Sequence, residues 1–131
     1  MKNLSEVQNL IREFYSFAKQ RLGFKKPVRL FLKRDADNSQ NLLGKTAYYD
    51  PQSMSITVYI TDRHPKDVLR SFSHELVHHN QNCNGKFEMN GKFEEGYAQE
   101  NPHLRNMEKQ AYLEGNLAFR DWEDSRQTQG E

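Results

Sequence analysis

Cysteine is almost missing from this chain, with Cys83 the only one among 131 residues. A lone thiol excludes an internal disulfide and any zinc ribbon built on cysteine pairs, and it is compatible with a reducing compartment. Long apolar runs are missing too. No stretch approaches the roughly 20 residues that a membrane span needs, and no apolar segment of the secretory kind follows Lys2. The expectation is therefore a cytoplasmic protein without a membrane role. Nor does one sign of charge dominate: 19 Lys and Arg face 18 Asp and Glu, a formal net charge of +1, and the two signs are mixed along the whole length. That removes the electrostatic footprint of a nucleic-acid binder. There is no internal repeat, and nothing that sets an oligomeric state.

What is present is a small set of periodic segments. Hydrophobic residues make up only 35% of the chain, yet they recur at regular spacing, which argues one ordered domain over residues 1–124 and a flexible tail over 125–131. Ser5 and Gln8 form a capping-box pattern ahead of Val7, Leu10, Ile11, Phe14, Phe17, Ala18 and Leu22, a helix that ends at Gly23 and is expected to cover a sheet. Val28 to Lys33 alternates in part and reads as a strand. Lys45 to Tyr49 and Ser55 to Ile60, joined by Asp50-Pro51-Gln52-Ser53, read as a hairpin. Pro65 then opens a second helix, with Asp67 in its first turn. Residues 82–102, rich in Gly and polar side chains, read as a long loop that holds Cys83, and a last helix is expected from His103 or Leu104 to Trp122. Phe14, Phe17, Tyr48, Tyr59, Phe72, Phe119 and Trp122 are assigned to the core.

The second helix contains Ser73-His74-Glu75-Leu76-Val77-His78-His79-Asn80, an H-E-x-x-H string of the kind that binds zinc. Residues four apart on a helix stand one turn above each other, so His74 and His78 can bring imidazole nitrogens to one ion at about 2.0–2.1 Å. Glu75 lies about 100° around the same surface. There its carboxylate reaches a water at the site without being a ligand, the place of a general base. With His74 at 0°, Phe72 and Leu76 fall between about 160° and 200°, so the ligand face is separate from the core face. His79, near 140°, goes with the core as a structural residue or as a support for the ligands.

A catalytic zinc usually has three protein ligands and one open position. The metzincin continuation is absent after His78, so the third ligand must come from elsewhere. Glu108 on the last helix leads the candidates, because it falls in a stripe with Leu104, Ala111, Tyr112, Gly115, Phe119 and Trp122. A carboxylate among apolar residues is costly unless paired or bound to a cation, and Ala111 and Gly115 would let another helix come close. His103, Glu94, Glu95 and Glu114 stand behind it.

The order of helix, strand, hairpin, H-E-x-x-H helix, loop and a helix with Glu108-Lys109-Gln110-Ala111 resembles the gluzincin zinc metallopeptidases. The nearest likeness is to their smallest single-domain members, the minigluzincins, and to the related ImmA/IrrE-type proteins. The resemblance implies an α+β, zincin-like minimal domain with an N-terminal covering helix and a small, mostly antiparallel three-stranded sheet. It implies that His74, His78 and Glu108 bind zinc and that Glu75 is the base. It also implies that a peptide or protein substrate docks along an edge strand at Lys45, Thr46, Ala47 and Tyr48, by pairing with its open backbone groups. Tyr112, Tyr97 or His103 would donate to the oxyanion.

One departure matters. Larger gluzincins carry an Asp that steadies a ligand histidine, and here Tyr112 stands in its place, while Met107 and Ala111 replace the neighbouring Asn and Ser. The leading expectation is peptide-bond hydrolysis by a zinc endopeptidase. The rival is a zincin-like module that binds zinc and a protein partner without cleaving it.

Overall fold

The computed structural model describes residues 4–34, 46–86 and 102–129. Over them the chain is α+β, with three helices and a mixed three-stranded sheet. Helix α1, Leu4–Leu22, buries Val7, Ile11, Phe14 and Ala18, whose spacing of three and four residues makes one continuous stripe. Ser5, expected as its cap, already lies within the first turn. Gly23 closes it at φ 92° and donates its N–H to Lys19 O at 2.9 Å, a left-handed stop that glycine adopts without a Cβ clash.

Strands β1 (Arg29–Lys33), β2 (Ala47–Asp50) and β3 (Ser55–Tyr59) lie in the order β1-β3-β2. The hairpin holds: β2 is antiparallel to β3, with Ala47 opposite Val58 and Asp50 opposite Ser55. Its turn is tied by the Asp50 carboxylate, which accepts from the Gln52 N–H at 3.0 Å and from Ser53 Oγ at 2.9 Å. The expectation of a mostly antiparallel sheet needs correction. Strand β1 lies on the other side of β3 and pairs with it in parallel, Arg29 opposite Ser55 through Lys33 opposite Tyr59. The alternation in β1 places Leu30 and Leu32 toward the core and leaves Phe31 exposed.

Helix α2 spans Pro65–Cys83, with His64 as its N-cap and Pro65 at the first helical position. His64 Nδ1 accepts from the Lys66 N–H at 3.1 Å, satisfying one of the orphan donors of the first turn. The helix runs on through Asn82 and Cys83, which the sequence places in a loop, so Cys83 packs partly buried against the core. Helix α3 spans Pro102–Gln129 and continues well past Trp122. Contacts beyond that point explain the extension: Arg126 lies 4.7 Å over the Trp122 ring and 3.8 Å from the Glu13 carboxylate.

The core lies where the three helices meet one face of the sheet. Phe14 is fully buried at its centre, with ring centroids 6.1 Å from Phe72, 6.1 Å from Phe119 and 5.4 Å from Trp122. Two aromatics assigned to the core lie elsewhere. Tyr48 is exposed and Tyr59 only partly covered; their rings pair 6.4 Å apart on the sheet face opposite Ile56 and Val58. Lys45, Glu94, Glu95, Tyr97 and most of the 82–102 loop lie outside the described residues. Among the described residues, no helix is long and apolar enough to cross a membrane.

Candidate metal centre and its cleft

Helices α2 and α3 come into close contact, and a missing side chain lets them. A Cβ on Gly115 would stand 3.0 Å from His74 Cα and 3.1 Å from His74 N, well inside ordinary van der Waals contact. At the same crossing, buried Ser73 donates its hydroxyl to Gly115 O at 2.6 Å. The two backbones therefore touch beside His74, and Glu108, nearly two turns earlier on α3, is brought over the histidine face.

One ligand atom from each of His74, His78 and Glu108 lies within 4.8 Å of the others. His74 Nε2 is 3.5 Å from Glu108 Oε1, and His78 Nε2 is hydrogen-bonded to the same oxygen. Ligands at 2.0–2.1 Å around a tetrahedral ion are ~3.4 Å apart. The three donors, two imidazole nitrogens and a carboxylate oxygen, thus stand close enough together to hold one metal ion.

Glu108 does not sit in the apolar stripe itself. The buried line on α3 passes through Leu104, Met107, Ala111, Ala118, Phe119 and Trp122, while the Glu108 side chain is 43% exposed at its edge. The difference is rotational: α3 leans Met107 into the core, and Glu108 opens over the cleft. Hydrogen bonds from His74 and then His78 hold the Glu108 carboxyl well below its usual range. Burial alone pulls the His78 imidazolium down, but the hydrogen bond to Glu108 and the charges of Glu75 and Glu108 outweigh it, so its pKa lies above the ordinary 6.5. Glu75, 9% exposed, responds chiefly to burial, which raises its pKa against the opposing charges of His78 and His74.

The support for His78 comes from a residue the sequence reading missed. Gln81, almost fully buried, donates from Nε2 to Met107 O at 3.0 Å and to Gln110 Oε1 at 2.8 Å. Its Oε1 therefore faces His78 Nδ1, 2.8 Å away, and accepts from it. A proton fixed on Nδ1 leaves the Nε2 lone pair for a metal. The only sequence signal was spacing, since Gln81 lies three residues beyond His78 on the same helix surface. His74 is steadied differently, by the Tyr112 ring 4.5 Å away in an edge contact. Tyr112 is itself 64% exposed, not a core residue.

His79 is structural. Its Nε2 donates to Lys26 O at 2.7 Å, so Nδ1 accepts from the Tyr49 hydroxyl at 2.8 Å, which in turn accepts from Asn82 Nδ2 at 2.9 Å. Burial depresses the His79 pKa and raises that of Tyr49 to about 12, keeping the imidazole neutral and the phenol a donor. The chain of bonds ties β2 to α2 and to the segment before β1.

A cleft of about 500 Å³ opens at the candidate metal centre, lined by His74, Glu75 and Glu108 and bordered by Thr46 and Ala47 at the start of β2. Hydrogen bonding in an antiparallel pair alternates, and Tyr59 N–H donates to Thr46 O at 3.0 Å. Ala47 therefore turns its N–H and C=O away from β3, toward the outer edge. Tyr48, one residue on, pairs inward. Two other candidate ligands lie apart from the centre: His103 donates to Lys86 O at 3.0 Å beside a different cavity, and Glu114 pairs with Arg21 at 3.8 Å. Comparison with protein-family models, curated proteins and solved structures finds no match to this chain.

Proposed function

We propose that the chain is a small zincin-like zinc metallopeptidase of gluzincin type, acting as an endopeptidase. The observation that carries this reading is the convergence of His74 Nε2, His78 Nε2 and a Glu108 oxygen within 4.8 Å, in a cleft whose wall includes Glu75. Two imidazoles and one carboxylate are the donor set of a catalytic zinc with an open position. When bound, zinc would supply Lewis acidity toward the scissile carbonyl and lower the pKa of water.

The chain's own residues do the rest. Glu75, whose pKa is raised by burial, is suited to take a proton from water in the cleft and return it to the departing amine. Gln81 keeps the His78 Nε2 lone pair turned to the site. Ala47 offers its outward backbone groups to an extended peptide as an added strand, and Tyr112, on the cleft wall, is the candidate oxyanion donor. The departure that favoured a non-cleaving module was the missing Asp near Glu108, and Gln81 supplies a ligand support from α2 instead.

The test is Glu75→Gln. The variant should bind one zinc as tightly as the unmutated chain and lose turnover of an unfolded protein by about 10²–10⁴-fold. Retained peptidase activity in the variant, or cleavage insensitive to a chelator, would sink the assignment.

A further inference from the structure

The cleft extends beyond the histidines to a wall for which hydrolysis has no use. Arg70 and Ser71 line that end, about one turn of α2 before His74 and Glu75, and Arg63 reaches it from the segment ahead of the helix. Arg63 is held on every side. Its terminal nitrogens donate to Thr46 O at 3.2 Å, Tyr59 O at 3.0 Å, Asp67 O at 2.9 Å and Ser71 Oγ at 2.7 Å. All four acceptors are neutral, so the guanidinium is fixed in place, and among the described residues no carboxylate touches it. Arg70 is the complement. It lies 5.3 Å over the Phe119 ring and donates through Nη1 to Asp67 Oδ1 at 3.1 Å, in a pair whose side chains are half exposed. An exposed ion pair is weak, so Arg70 can exchange that carboxylate for another at little cost. With Asp67 set against two guanidiniums, the described residues at this end of the cleft carry positive charge in excess.

We propose that Arg63 and Arg70 form a carboxylate-recognition subsite, which makes anionic peptides the preferred ligands of the cleft. The inference rests on the peptidase reading for the path of the peptide. Arg63 has used its terminal donors and acts through its field, whereas Arg70 keeps donors for direct bonds and is the specificity-determining residue. Distance sets the position. One helical turn advances about 5.4 Å, and an extended peptide about 3.3 Å per residue. The anionic group therefore lies about one or two residues from the scissile bond. A carboxylate there has two sources, an acidic side chain or the peptide's own C-terminus.

The experiment titrates zinc-loaded Glu75→Gln protein with fluorescent peptides at low salt. One set carries a single Glu, Gln or Lys at each position in turn of a neutral, C-terminally amidated peptide; a second set is neutral with a free C-terminus. At one position, Glu should bind about tenfold or more tighter than Gln. Arg70→Gln should bring the acidic peptide to the affinity of its neutral partner, and Arg70→Glu should reverse the preference toward Lys. Tightening confined to the second set assigns the carboxylate to the chain terminus, with the same dependence on Arg70. Equal binding of Glu and Gln peptides and of free and amidated termini, discrimination that survives Arg70→Gln, or no binding of any peptide overturns the inference. The peptidase reading fails separately: zinc-loaded unmutated chain that discriminates through Arg70 but cleaves none of these peptides is a carboxylate-binding module without hydrolysis.

Discussion

His78 shows how much a single side chain depends on its neighbours. Its Nδ1 proton is directed by Gln81, and Gln81 is in turn directed by Met107 O and Gln110. Gln81→Met, which keeps the volume and removes the amide, should lower zinc affinity by about 10–100-fold in competition with a chromophoric chelator. An affinity within twofold of the unmutated chain would remove Gln81 from the site. His78 and Glu108 also set a pH dependence. The His78 pKa is raised above 6.5, so its contribution to folding without metal is fully present below 6.5 and fades as pH rises through the folded value. The Glu108 pKa is lowered from 4.5, so its contribution is present above 4.5 and fades as pH falls. Chelated protein should therefore gain most from this pair between 4.5 and 6.5. Melting curves of unmutated and Glu108→Gln protein should differ more at mildly acidic pH than at alkaline pH. A constant difference would show that the pair has no part in stability.

At the level of elements, the decisive contact is between α2 and α3 at Gly115. Helical glycine weakens a helix relative to alanine, yet here a methyl group would meet the His74 backbone at 3.0 Å. Backbone atoms cannot rotate away as a side-chain tip can, so the helices must part. Gly115→Ala is predicted to cost about 1–3 kcal/mol of stability despite its better helix propensity. It should also weaken zinc binding, because separation of α2 from α3 draws Glu108 away from His74. Denaturant unfolding and metal titration measure the two effects; stability at or above that of the unmutated chain would show that the crossing has slack. Gly115 and Ala111 were legible in the sequence as small residues that permit close approach. That the approach falls on His74 was not, because helix crossings depend on both partners.

For the molecule as a whole, one ring unites the layers. Phe14 of α1 touches Phe72 of α2 and Phe119 and Trp122 of α3. Phe14→Ala should destabilise the chain by about 3–5 kcal/mol, read as a lower denaturant midpoint. A loss below about 1 kcal/mol would mean that the core refills the space. Zinc should restore part of the loss, since binding to the folded state alone shifts the unfolding equilibrium.

Local order was largely legible in the residues. The stripe from Val7 to Ala18, the proline that opens α2, the turn at Asp50 and the H-E-x-x-H spacing are all short-range patterns, set by backbone sterics and helical or strand periodicity. Those patterns placed His74, Glu75 and His78 on one surface before any packing was known. Three things needed the tertiary structure. The parallel pairing of β1 with β3 is decided by which side of the hairpin remains for it. The half-exposure of Glu108 is decided by the rotation of α3 about its axis, which periodicity narrows only to a broad stripe. The role of Gln81 is decided by a carbonyl 26 positions away in the chain. Sequence patterning constrains neighbours along the backbone, whereas a site assembled from two helices is fixed by how closely they pack.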